Sequence, residues 1–518
     1  MVRAIDPTTL EVARNRFASV AEEMGAVLKR TAYSPNIKER MDCSAAIFTA
    51  DGEMLAQAEH IPVHLGSMPE SVRAVFEVFG LDVPPGMQFA VNDPFHGGTH
   101  LNDLTLVRPV HHRGELVGWV ANRAHHADVG GTAPGSMPAS ATRLTEEGHV
   151  VAPTVACVNG EWDRGFFDAF VEATRTPDER VGDLSAQLGA NEAGARRLVE
   201  ALDAHGDGWR SVTEALLDYG EERMRAALRG LPDGEYRFED LMEWGDRDLP
   251  IRVSIGVADG ELVADFTGTS PQIEGNINAV EAVTRSCLYY AVRVAADPTI
   301  PANGGCYRPL TLVTEPGSLI SARDGVAVAA GNVETSQRIA DVLLGALAQC
   351  APDRVGAASQ GTMNNILIGS GSTVYYETVA GGEGGTPRRP GQSGIHTGMT
   401  NTKNTPIESL EAHYPFRVTT TSLRAGSGGG GQHRGGEGIV REIEFQEDAV
   451  LSLIGERRRN RPWGLLGGEP GSCGEDWLTR SDGGEERLPG KVTLDVSAGD
   501  RIRVLTPGGG GWGRAGRG

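Results

Sequence analysis

The 518-residue chain is short of lysine, of aromatic side chains and of cysteine. Only four of its 48 cationic residues are lysine (Lys29, Lys38, Lys403 and Lys491), and against 69 acidic residues the formal net charge is −21. Phosphate backbones are neutralised by clustered cations, so this balance excludes a general nucleic-acid binder. The six cysteines (Cys43, Cys157, Cys287, Cys306, Cys350 and Cys473) lie far apart, without a Cys-x-x-Cys pair. That spacing removes zinc-ribbon and redox-motif readings, and a disulfide framework is out of place in a chain this long. No run reaches the ~18 apolar residues of a bilayer span, and the first residues carry no apolar signal-peptide core. The expectation is a cytoplasmic protein that engages neither membrane nor nucleic acid. Two motifs are also missing. No Gly-x-Ser-x-Gly elbow occurs, and the glycine-dense segment 426–436 is not followed by Lys-Ser/Thr, so it is no phosphate loop. It reads as a flexible or tightly turned loop.

What the chain does have is glycine (70), proline (28) and an uneven distribution of histidine. The first element is a helix: Thr8 and Glu11 can form a capping box, and Leu10, Ala13, Phe17, Val20, Met24 and Val27 recur at steps of three and four. Strand-like residues 45–48 precede a second amphipathic helix at 67–79. Residues 168–228 read as two or three helices broken at 206–208. Strands at 251–257 and 262–266 hinge on Asp259-Gly260, helices follow at 280–296 and 335–350, and the pattern turns to β from residue 366. The tail, 491–505, reads as two strands. These features predict a mixed α+β fold whose parts pack as one unit over 1–518. The parts are an N-terminal α/β module (1–155), a helical segment (160–232), an α/β part suited to a substrate pocket (233–430) and a β-rich C-terminal part (431–518).

Eight of the 13 histidines (His60, His64, His96, His100, His111, His112, His125 and His126) fall between residues 60 and 126. Residues 104–110 and 116–122 read as strands joined by a five-residue turn, 111–115. In that register position i faces position 226 − i, so residue 103 lies opposite 123 and residue 101 opposite 125. The open end of the hairpin then gathers His100 and Asp103 from one arm with His125, His126 and Asp128 from the other. Two neutral imidazoles and a carboxylate suit a catalytic divalent ion such as Zn²⁺, Mn²⁺ or Fe²⁺, with a structural hydrogen-bonding cluster as the alternative, and the N-terminal part is read as a metal-binding module. Gly97-Gly98 just before these residues would allow close approach of a substrate. His111 and His112 belong to the turn, and His60 and His64 are candidates to face the substrate. Amide- and hydroxyl-rich stretches at 332–338, 359–365 and 396–402 add the neutral polar groups of a pocket, among them Asn364, Asn365, Thr400 and Asn401.

The run Asn92-Asp93-Pro94-Phe95-His96-Gly97-Gly98-Thr99-His100-Leu101-Asn102-Asp103 resembles the hydantoinase B family. So do segments 30–40, 58–69, 123–131, 331–341, 358–365, 396–408, 435–442 and 507–511. That family includes N-methylhydantoinase subunits, the matching half of 5-oxoprolinase and the alpha subunit of acetone carboxylase. The resemblance implies a divalent ion held by a His-x-x-Asp pair and a histidine about 25 positions on, which here are His100, Asp103 and His125. It also implies an A-type partner subunit of actin-like ATPase fold, a hetero-oligomer in which that partner uses ATP to phosphorylate a small cyclic amide or ketone. The expected activity is ATP-dependent ring opening of a hydantoin or 5-oxoproline by a metal-activated water, with His126 or Asp128 as base or orienter and the 364–365 and 400–401 loops holding the ring. An alpha-type role in a ketone carboxylase, a non-catalytic scaffold role and a free-standing metallohydrolase remain as alternatives.

Overall fold

The computed structural model describes residues 5–58, 61–371 and 373–516. Its first helix, Pro7–Thr31, buries the stripe Ala13, Phe17, Val20, Met24 and Leu28. The start differs from the expected capping box. Asp6 accepts hydrogen bonds from the Thr8 and Thr9 amides (3.1 and 3.0 Å), and Pro7 takes the first helical position, where no donor is needed.

Seven antiparallel strands form the N-terminal sheet: β1 (Cys43–Thr49), β2 (Met54–Ala58), β3 (Met87–Val91), β4 (Asp103–His112), β5 (Glu115–His125), β6 (Thr154–Val158) and β7 (Glu161–Trp162), in the order β2-β1-β5-β4-β3-β6-β7. The central hairpin β4–β5 is tighter than the sequence suggests. Only Arg113 and Gly114 connect the arms, with φ of 52° and 84°, the left-handed pair that a two-residue hairpin turn requires. His111 and His112 therefore lie in β4 rather than in the turn, and the register pairs Asp103 with His125 and Leu104 with Ala124. The slip from the expected pairing is two residues. A two-residue slip leaves every side chain on its expected face, because strand side chains alternate with period two.

That alternation sorts the two faces of β5. Asn122 and His126 face the long helix Pro177–Asp203, where Asn122 donates to Gln187 O and Asn191 Oδ1 (both 2.8 Å). Arg123 and His125 face the other way. Arg123 donates to Thr105 Oγ1 (2.8 Å) and to Ser71 Oγ (2.7 Å), the latter on the helix Met68–Phe79. The helical middle is Arg164–Ala173, Pro177–Asp203 and Trp209–Arg229, interrupted at Gly206–Gly208 as expected. A four-stranded sheet built on Gly234–Trp244 and Arg247–Ala258 follows.

Strand-rich structure begins at Asn365, as two sheets facing each other across a core of Ile366, Leu451, Ile443 and Ile502. The two tail strands do not pair with each other. Lys491–Val496 joins Ala449–Ile454 in one sheet, and Arg501–Leu505 joins Gly438–Phe445 in the other. The largest apolar cluster runs from Ala46 to Ile454, so the N-terminal sheet, the central helices and the C-terminal sheet that holds Leu367, Tyr376 and Ile454 share one core.

The glycine-dense segment is not a flexible loop. Gly429, Gly435 and Gly436 pack backbone against backbone with segments near residues 383 and 509. Gly429 N donates to Gly509 O (2.9 Å), Gly509 N to Gly436 O (3.0 Å) and Gly436 N to Glu383 O (2.8 Å). A Cβ on Gly435 would overlap Gly509 O and lie 2.8 Å from Gly510 O. Glycine is required there so that chains can approach, not so that they can move.

Candidate metal centre

The mouth of the β4–β5 hairpin is closed by short braces. The His126 amide donates to Asn102 O (2.8 Å), the His125 amide to Asp42 O (3.0 Å) and Asn36 Nδ2 to His125 O (2.6 Å). These fix Asp103 and His125 as cross-strand neighbours, while His100 sits one turn before β4 with its carbonyl accepting the Asp103 amide (3.0 Å). Each of the three residues offers one ligand atom, and these atoms all lie within 4.8 Å of one another. His100 Nε2 and His125 Nδ1 stand 3.1 and 3.3 Å from Asp103 Oδ1.

These approaches are close but not aligned as hydrogen bonds. Among the described residues, both ring nitrogens of His100 and Asp103 Oδ1 are buried without a hydrogen-bond partner. A buried polar atom left unpaired costs about 1–3 kcal/mol, so the unpaired His100 Nε2 and Asp103 Oδ1, 3.1 Å apart, fit a bound cation. The donor set, two imidazoles and one carboxylate, is that of Zn²⁺, Mn²⁺ or Fe²⁺ sites. Burial opposes ionisation of Asp103, but the His100 and His64 imidazoles outweigh it and hold the carboxyl well below its usual range. Asp103 is therefore anionic at neutral pH.

The centre borders a cavity of about 20 Å³ lined by Asp42, His64, Asn332, Tyr376, Thr378 and Thr400, among others. That volume holds one water-sized guest. Tyr376 stacks on His125 (ring centroids 4.7 Å apart, planes 17° apart), and the buried Arg40 guanidinium lies 4.6 Å from the Tyr376 ring centroid. Asn332 comes from a π-helical turn, Gly331–Thr335, an element often found at functional sites.

Other candidates lie elsewhere. His126 points to the opposite face, where Nε2 meets Gln187 Oε1 at 2.9 Å and the ring stands edge-on to Phe170. Burial, helped by Arg180, pushes its pKa down to about 4. Asp128 holds a loop together: it accepts from the amides of Gly130, Gly135 and Arg175 and from the Thr174 and Arg175 side chains. Neither reaches the cavity: alternation turns His126 to the opposite face, and Asp128 lies beyond the last strand residue, His125.

His64 does line it, facing Asp103 Oδ2 at 3.3 Å. Asn364 and Asn365 are committed to the framework. Asn364 bridges Gln360 and Val379 O, and Asn365 donates to Glu334 Oε1 and Ile454 O while accepting from Tyr376. Thr400 lines the cavity and Asn401 is exposed. His60 lies outside the described residues. Gly97 and Gly98 serve close packing of the chain, since Cβ atoms there would fall 2.7 Å from Ala74 Cβ and 2.7 Å from Asp93 O. Sequence reasoning missed Asp42 and Tyr376 as cavity residues, whereas Asn332 lies in a stretch it read as pocket-forming. The Asn332 stretch was legible as polar, but nothing local ties it to the hairpin.

Fold and site together define a multi-sheet α/β protein with a buried His–Asp–His cluster at the mouth of a β-hairpin. The chain belongs to the Hydantoinase B/oxoprolinase family, whose model matches residues 6–515. It is 38% identical over 538 residues to 5-oxoprolinase 1 of Arabidopsis thaliana, covering 98% of this chain and 42% of that protein. It thus spans about two-fifths of the length of the 5-oxoprolinases it matches. The structure is similar to that of ATP-dependent caprolactamase from Pseudomonas jessenii, with a TM-score of 0.92 and 29% identity over 99% of this chain and 92% of that one. It shares its fold with acetone carboxylase (TM-score 0.92, 18% identity, 99% and 76% covered). No helix among the described residues is long and apolar enough to cross a membrane.

Proposed function

We propose that this chain is the B-type component of a cytoplasmic, hetero-oligomeric, ATP-dependent cyclic-amide hydrolase that opens a hydantoin or 5-oxoproline ring. The observation that carries this reading is the meeting of the unpaired His100 Nε2 and Asp103 Oδ1 beside His125, in a chain whose family includes 5-oxoprolinases. Amide resonance makes such a ring a poor electrophile. An A-type subunit of actin-like ATPase fold phosphorylates the substrate, a division of labour supported by the missing phosphate loop and by the greater length of the matched 5-oxoprolinases.

A divalent ion (Zn, Mn or Fe) bound at the centre supplies Lewis acidity to a guest in the cavity. His100 and His125 would provide neutral nitrogen and Asp103 the negative charge. Thr378, Thr400 and Thr402 line the wall with hydroxyls, and the buried Asn332 Oδ1, without a partner among the described residues, can accept a hydrogen bond. A cavity of about 20 Å³ is smaller than a five-membered ring, so ring binding widens it. The likeness to 5-oxoprolinases and caprolactamase favours hydrolysis over ketone carboxylation.

The test is ATP turnover by this chain co-purified with an A-type partner, offered hydantoins, 5-oxoproline, other lactams, and ketones with bicarbonate. Cyclic amides are expected to stimulate turnover and to yield ring-opened acid. Stimulation by ketones alone would assign carboxylation. Full activity of the His100→Ala complex would assign a scaffold role.

A further inference from the structure

The two oxygens of Asp103 are not equivalent. Oδ2 accepts a hydrogen bond from Thr99 Oγ1 (2.9 Å) and a longer one from Asn332 Nδ2 (3.5 Å), and His64 Nε2 faces it at 3.3 Å. Oδ1 has no hydrogen-bond partner among the described residues and faces His100 Nε2 and His125 Nδ1. The donors come from three separate places: residue 99 before β4, the one-turn helix Pro62–His64 and the π-helical turn Gly331–Thr335. All of them load the same oxygen.

His64 is itself oriented. Its ring is buried, and its Nδ1 lies 2.9 Å from Ser44 Oγ on β1. A carboxylate is acceptor-only, so the nitrogen facing Asp103 must carry the proton. In the neutral ring Nδ1 then accepts the Ser44 hydroxyl. Hydrogen bonds to a ligand's far atom set the orientation of metal-binding side chains, and losing them typically costs ~10–100-fold in metal affinity.

Resting on the metal reading above, we propose that Ser44 and His64 form a positioning pair: they turn Asp103 so that Oδ1 alone reaches the ion and Oδ2 is withheld. The carboxylate binds through one oxygen. The protein then contributes three ligand atoms, and the remaining coordination positions open toward Asn332, Thr378 and Thr400. His64, which the sequence marked as facing substrate, acts through Asp103 instead.

The experiment titrates Zn²⁺ into the demetallated full chain against a chromogenic chelator. It compares the wild type with His64→Leu, which removes the donor, with His64→Gln, whose Nε2 keeps a donor at similar reach, and with Ser44→Ala. His64→Leu is expected to bind Zn²⁺ ~10–100-fold more weakly, His64→Gln within ~3-fold of wild type and Ser44→Ala in between. A merely structural role would not let glutamine rescue affinity.

The inference is overturned if His64→Leu binds as tightly as wild type, or if His64→Gln is as weak as His64→Leu, which would make His64 a ligand. Should His64→Leu fail to fold, Ser44→Ala, which removes the other member of the pair, carries the test, and unchanged affinity there overturns it equally. A wild-type chain that takes up no ion overturns the metal reading itself. A wild-type chain that binds while the variants match it overturns the positioning role alone.

Discussion

Replacing Gly435 by alanine tests the account of the glycine-rich C-terminal layer. The added Cβ would overlap Gly509 O and lie 2.8 Å from Gly510 O, backbone atoms with no flexible end to swing aside. The 435 and 509 segments must part. That breaks or stretches Gly435 N to Gly429 O (2.9 Å), Gly429 N to Gly509 O (2.9 Å) and Gly509 N to Gly436 O (3.0 Å). Three hydrogen bonds at about 1 kcal/mol each put the loss near 3 kcal/mol. Gly256→Ala is the control. This glycine lies in the strand Arg247–Ala258, has no left-handed φ, and a Cβ there meets nothing within 4 Å. Alanine at such a site gains roughly 0.4–1 kcal/mol by restricting the unfolded chain. Thermal midpoints from scanning fluorimetry should rank Gly256→Ala at or above wild type and Gly435→Ala clearly below it. Equal midpoints for the two variants would refute backbone packing as the reason for glycine at 435.

Asp128→Ala should destabilise the protein by roughly 3 kcal/mol, since it strands the donors of Gly130, Gly135, Thr174 and Arg175, while the folded protein keeps its full metal content. Metal loss with unchanged stability would contradict its placement away from the centre. Glu334 is buried, and desolvation raises its pKa from 4.5 to about 8. Between those values the unfolded state holds fewer protons than the folded one, so this group's stabilisation is full below pH ~4.5 and is lost as pH rises to about 8, by up to ~1.4 kcal/mol per pH unit. Glu334→Gln removes that dependence. Denaturant midpoints of the variant should improve on wild type steadily from pH 5 to 8, and a flat difference would show that Glu334 is ionised in the fold.

The hairpin was legible because its strands alternate and its ends carry histidine and aspartate. The predicted turn was three residues too long, but the resulting slip was two residues, and an even slip preserves the face. A slip of one would have sent His125 to the side that His126 occupies. His126 and Asp128 show the limit of the same reasoning. Proximity in sequence to a ligand does not carry past the last paired residue. Asn332 and Tyr376 reach the cavity from more than 200 positions away, and no local pattern encodes that meeting. The segment 426–436 misled for a related reason: glycine at high density reads as freedom until the neighbouring chains are known.

The central claim is that His100, Asp103 and His125 bind a divalent ion. Elemental analysis of the purified chain after stripping and reloading with Zn²⁺ or Mn²⁺ tests it most directly. The account predicts one ion per wild-type chain and almost none in a folded His100→Ala variant. A wild-type chain that retains no ion, or a variant that retains as much as wild type, would contradict it.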